Sequence, residues 1–136
     1  MRKLALWLMA VAGMATAATT PDDPVAFGQQ LFLGEVALSA RLRTNPRDLP
    51  ASAVRCANCH AATSGAQPFG PPLTRDTLQG LMARRGGPPT VYTRDTFCKV
   101  LADGVDAANV VLSSAMPQYR LSDEECNALW AFLLTR

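Results

Sequence analysis

The chain has 136 residues, 13 of them basic and 11 acidic, enough for one domain around one core. Without Arg2 and Lys3 the two charges balance, so no basic face for nucleic acid is indicated. Beyond the N-terminal apolar run, no segment is long or apolar enough to cross a membrane.

The first residues read as an export signal. Met1-Arg2-Lys3 is a basic head, Leu4 to Met14 an apolar run too short to span a bilayer comfortably, and Ala15-Thr16-Ala17 a small-x-small cleavage site. This predicts a signal over 1–17, a single domain over 18–136, and a periplasmic protein with no membrane span after cleavage. Charge along that domain is uneven: residues 18–40 and 95–136 are acidic, and 41–94 are basic.

Asp22-Asp23-Pro24 predicts a helix start, with a carboxylate near the N-cap and proline at the first helical position. Phe27, Leu31 and Phe32 give that helix an apolar face, with Gly28 and Phe32 four apart on it. From Leu33 to Pro50 the periodicity weakens, and no regular structure is assigned. Ala61 to Pro72 is a loop rich in small residues, Gly and Pro. Thr74 to Arg85 reads as a short helix carrying Leu78, Leu81 and Met82 on one face, with Arg84-Arg85 complementing its C-terminus. Thr93 caps a helix bearing Phe97, Val100 and Leu101 that stops at Gly104. Ser122 and Glu125 make a capping box for the last helix, whose stripe is Cys126, Leu129, Trp130, Leu133 and Leu134. The class is all-α: short helices joined by loops long enough to need a ligand to organise them.

Cys56-Ala57-Asn58-Cys59-His60 supplies the ligand. C-x-x-C-H marks covalent attachment of a c-type haem. Two thiols three positions apart on a helical turn can add to two vinyl groups on one haem edge, and the next residue offers an imidazole to the iron. A redox dithiol would want a βαβ context, and a zinc site would want a second close pair that Cys98 and Cys126 do not make. His60 is the only histidine, so bis-histidine ligation within one chain is excluded. Met82 and Met116 are the thioether candidates left after the signal. Met82 falls on the predicted apolar stripe, where core packing accounts for it. Met116 sits in a non-periodic loop, Ser113-Ser114-Ala115-Met116-Pro117, and is the expected sixth ligand.

With these residues in place the chain resembles the small monohaem class I cytochromes c of bacteria over residues 24–136. The likeness rests on Gly28 and Phe32, the Cys56-x-x-Cys59-His60 motif, Gly70-Pro71-Pro72-Leu73, Gly104-Val105-Asp106, Met116-Pro117-x-Tyr119 and the Leu129 to Leu133 helix. It implies a cytochrome c-like fold around one covalent haem c, with the Pro71 carbonyl holding His60. It also implies that the first helix crosses the last, placing Gly28 and Phe32 against Leu129 and Leu133. Leu33 to Arg55 departs from the resemblance as an insertion before the motif. Cys98 and Cys126 depart from it too: either they are small buried apolar residues or, in an oxidising compartment, a disulfide between two packed helices. The function implied is one-electron transfer between a donor and an acceptor protein by a monomer that is not an enzyme. The alternatives are a haem enzyme or gas sensor with an open sixth position, or a fixed redox subunit of a larger dehydrogenase or oxidase.

Overall fold

The computed structural model describes residues 22–61 and 67–136. The expected export signal and the middle of the loop after His60 lie outside these residues. Among them are five helices: α1 (Pro24–Leu33), α2 (Ala57–His60), α3 (Arg75–Gln79), α4 (Arg94–Asp103) and α5 (Asp123–Leu133). Four two-residue strands accompany them: β1 (Ala40–Arg41), β2 (Met82–Ala83), β3 (Pro89–Thr90) and β4 (Gln118–Tyr119). Antiparallel pairing joins β1 to β4 and β2 to β3. The fold is the all-α arrangement expected, since the strands are only clips between loops.

The main scaffold is the crossing of α1 and α5. Asp23 caps α1, its Oδ1 accepting the Val25 and Ala26 N–H groups at 2.9 and 3.3 Å, with Pro24 in the first turn. Ser122 and Glu125 form the capping box of α5. Gly28, Leu31 and Phe32 of α1 are buried, as are Cys126, Ala128, Leu129 and Leu133 of α5. At the closest approach a β-carbon on Gly28 would meet Ala128 and Phe132, the Phe32 and Phe132 rings lie 5.6 Å apart, and Leu129 and Leu133 are buried in the same core as Leu31 and Phe32.

α4 starts at Thr93, where Thr96 completes a capping box, and ends on Gly104 in the left-handed conformation. It buries Phe97, Val100 and Leu101, and Phe97 packs on Trp130 of α5 at 5.3 Å. A disulfide joins Cys98 to Cys126, with Cα atoms 5.9 Å apart, and so ties α4 to α5.

The helix expected over Thr74–Arg85 is shorter. It is capped by Thr74 and Thr77 and stops at Gly80, where the backbone becomes extended. A β-carbon on Gly80 would stand 2.3 Å from the Asp76 carbonyl oxygen, so glycine is the residue that fits at this helix end. The chain then turns into the β2–β3 hairpin. Leu81 is 73% exposed and Met82 37%, so Met82 is not packed in the core as expected. Arg84 does complement the helix end: its NH2 group donates to the Thr77 carbonyl at 2.5 Å and to Gly80 at 3.2 Å. Arg85 turns away to Asp106.

Candidate functional site: an apolar cleft around His60

α2 is a single turn. The Cys56 carbonyl accepts the N–H groups of Cys59 and His60 at 3.2 and 3.0 Å, which sets both sulfurs and the imidazole on one short element. Two bonds close the loop that follows. The Gly70 N–H donates to the Cys59 carbonyl at 2.7 Å, and His60 Nδ1–H donates to the Pro71 carbonyl at 2.7 Å. The second bond fixes the tautomer and leaves Nε2 as the nitrogen that can take a metal. Gly70 lies flat against the ring: a β-carbon there would be 2.6 Å from Cε1.

Burial pushes the His60 pKa down, against the pull of the Pro71 carbonyl, and the nearby Arg136 cation pushes the same way as burial. Burial and the cation both favour the neutral imidazole, the form that metal ligation requires. Burial drives the Cys56 thiol up to about 11, although the Tyr119 hydroxyl beside it pulls the other way. Tyr119 is raised by burial as well, and next by Cys56. Its hydroxyl donates to the Val54 carbonyl at 2.8 Å.

A cleft of about 500 Å³ opens beside His60, within the usual size of a cofactor site. One wall is Phe69, Gly70, Pro71, Pro72 and Leu73; α4 contributes Phe97, Val100 and Leu101; Met116 and Pro117 lie on the loop before β4. A second cavity, of about 50 Å³, is bounded by Cys56, Cys59, His60, Met116 and Tyr119. His60 and Met116 line both, whereas Met82 lines the larger one alone. The structure thus brings together Cys56, Cys59, His60, Pro71 and Met116, all five residues predicted for the site.

Among the described residues, two charged side chains line the large cleft, Arg84 and Arg85. Arg84 is committed to the backbone. Besides Thr77 and Gly80 it donates to the carbonyls of Met82 and Thr90, and it lies 5.0 Å over the Tyr92 ring. Arg85 NH2 meets Asp106 Oδ2 at 2.5 Å. Asp106 is buried, and its Oδ1 accepts the Ala108 and Val110 N–H groups at 2.9 and 2.8 Å. Burial alone would raise that carboxyl, but the Val110 N–H, the Arg85 guanidinium and the Ala108 N–H hold it below the usual value. Sequence reasoning missed this pair. Its local signal was Asp106 followed by Ala107-Ala108-Asn109, an Asx-turn pattern that ends in a residue tolerant of positive φ.

An apolar slot with the Cys59 thiol and an imidazole at one side, and the Cys56 thiol in the small cavity beside it, fits a flat apolar group tethered through sulfur. Haem is such a group. The chain belongs to the cytochrome c family, whose model matches residues 40–136. Members of this family are haem-based electron carriers, and the cofactor is covalently bound haem c. No curated protein and no solved structure matches the chain significantly. α1 lies outside the matched stretch. No described helix is long and apolar enough to cross a membrane.

Proposed function

We propose that this protein is a periplasmic one-electron carrier holding one haem c, with thioethers from Cys56 and Cys59 and axial ligation by His60 and Met116. The observation carrying the ligand choice is that Met116 borders both cavities beside His60, while Met82 borders only the larger. When bound, haem supplies an iron that cycles between ferrous and ferric states. The chain's task is to hold two ligands still and keep water out. The Nδ1–H bond to Pro71 orients His60, and the apolar walls from Phe69 to Leu73 and from Phe97 to Leu101 exclude solvent. A thioether opposite an imidazole raises the potential and favours electron transfer. The partners on this reading are a donor and an acceptor redox protein, the protein is a monomer, and it performs no bond chemistry on a substrate. Periplasmic location rests on the signal pattern and on the motif, since thioether attachment is completed outside the cytoplasm.

The test is spectroscopic. Haem should stay with the polypeptide after acid–organic extraction, and the ferric protein should show the weak far-red band of sulfur-to-iron charge transfer. The ferrous protein should bind CO slowly or not at all. Met116→Ala should abolish the far-red band and admit CO rapidly, while Met82→Ala should keep the band. Rapid CO binding by the unmodified protein would replace this reading with a sensor or enzyme, and a swapped pattern would move the ligand to Met82.

A further inference from the structure

The segment between α1 and α2, residues 34–55, which falls within the expected insertion, does more than lengthen the chain. Met116 stands in the 104–122 connection between α4 and α5, which has no regular structure apart from β4. A loop of that length gives a side chain freedom unless both of its stems are fixed. Both stems are held by the same insertion.

At the first stem, the Gly104 carbonyl accepts Arg43 NH2 at 2.8 Å and the Leu112 N–H at 2.8 Å. Gly104 has φ +68, and a β-carbon there would be 2.5 Å from Arg43 NH2. The guanidinium is therefore seated directly on the turn. At the second stem, β4 follows Met116-Pro117 and pairs with β1 of the insertion, Ala40 opposite Tyr119 and Arg41 opposite Gln118. The Arg120 N–H adds a bond to the Ser39 carbonyl at 2.9 Å. The buried Tyr119 hydroxyl reaches the Val54 carbonyl, two residues before Cys56. Gln118 Nε2 ties the stems to each other by donating to the Asp103 carbonyl at 2.7 Å. The insertion in turn closes on itself through the Leu49 N–H and the Ala40 carbonyl, 2.8 Å apart.

We propose that residues 34–55 form a clamp on the two stems of the Met116 loop, with Arg43 on the clamp and Tyr119 on the second stem as the positioning residues, and that the clamp limits how fast the Met116 sulfur leaves its place. This rests on Met116 being the sixth ligand. Bonds made only while the loop is seated shift its opening, each by about fivefold to tenfold for a single net hydrogen bond.

The experiment follows added imidazole replacing the sixth ligand of the ferric holoprotein, by stopped-flow at the far-red thioether band. Tyr119→Phe and Arg43→Ala should each raise the limiting rate of replacement by about fivefold to tenfold, and Arg43→Lys should restore part of the difference. Gly28→Ala, which loosens the α1–α5 crossing and touches none of the clamp's hydrogen bonds, serves as the control for general destabilisation and should leave the rate unchanged. A present thioether band with unchanged rates in both clamp variants overturns the clamp alone. Equal acceleration by Gly28→Ala also overturns it, because the effect would then follow stability. Absence of the band from the unmodified protein, or its survival in Met116→Ala, overturns the ligand assignment and the clamp together.

Discussion

A β-carbon built on Gly28 would stand 2.0 Å from the Ala128 carbonyl oxygen. The helix backbones of α1 and α5 therefore touch at this point, and glycine is required by contact rather than by backbone conformation. The crossing buries Leu31, Phe32, Leu129 and Leu133 almost completely, so a forced separation would open the packing of all four. Gly28→Ala is expected to destabilise the protein by about 2–3 kcal/mol through overpacking, in spite of the better helix propensity of alanine. Denaturant unfolding of the holoprotein measures it, with the visible spectrum unchanged.

The Cys98–Cys126 disulfide closes a separation of 28 residues. In the chain-entropy model its loss should cost about 3–4 kcal/mol. Replacing both cysteines by serine, which avoids a free thiol, should lower the unfolding midpoint accordingly. Alkylation of the denatured, unreduced protein should label neither residue; two labelled thiols would contradict the bond.

Helix ends and the haem motif were legible because their signals are local. Asp23, Thr93, Ser122 and Gly104 each cap a helix where the sequence places them. The β1 strand was legible too and went unread, although its pairing with β4 was not. Val36, Leu38, Ala40 and Leu42 are at least partly buried and alternate with exposed Ala37, Ser39, Arg41 and Arg43, a period of two. The false extension of α3 has a different cause. Leu78, Leu81 and Met82 fit a helical stripe, but Gly80 ends the helix, and the cleft then gives Met82 an apolar wall outside the core. The closest contacts of Gly28, Ala128 and Phe132, were not legible, because periodicity does not locate the point of closest backbone approach. The disulfide pairing needed the packing of α4 on α5, and the Arg85–Asp106 pair joins residues 21 apart across loops. Neither pairing is contained in a local pattern: the Asx turn marks Asp106 but not its partner.

Asp106 should make stability depend on acid. Its folded pKa lies below the ordinary 3.8, so the unfolded chain takes up the proton first as pH falls. The stabilisation is complete above the unfolded value and is lost as pH drops through the lowered folded one. Asp106→Asn keeps the size but removes the charge that meets Arg85, and is expected to cost about 2 kcal/mol at neutral pH. The gap between variant and unmodified protein should narrow in unfolding curves taken below 3.8. A gap of constant size across that range would assign the effect to packing.

Gly70 gives the sharpest test of how His60 is held. A β-carbon there would lie 2.6 Å from Cε1 and 2.7 Å from Nδ1, so Gly70→Ala must displace either the ring or the loop that carries Pro71. Either movement lengthens the 2.7 Å bond from Nδ1–H to the Pro71 carbonyl. On the proposed ligation by His60, that bond would make the imidazole a more electron-rich ligand and so favour the ferric state; weakening it should raise the reduction potential. Partners of this kind are worth about tenfold or more, and tenfold is about 59 mV for a one-electron couple. Pro71→Ala retains the backbone carbonyl and should shift the potential much less. Voltammetry of the three holoproteins separates the possibilities. A rise in Gly70→Ala alone supports orientation through the carbonyl. Equal potentials in all three would show that the hydrogen bond does not tune the site.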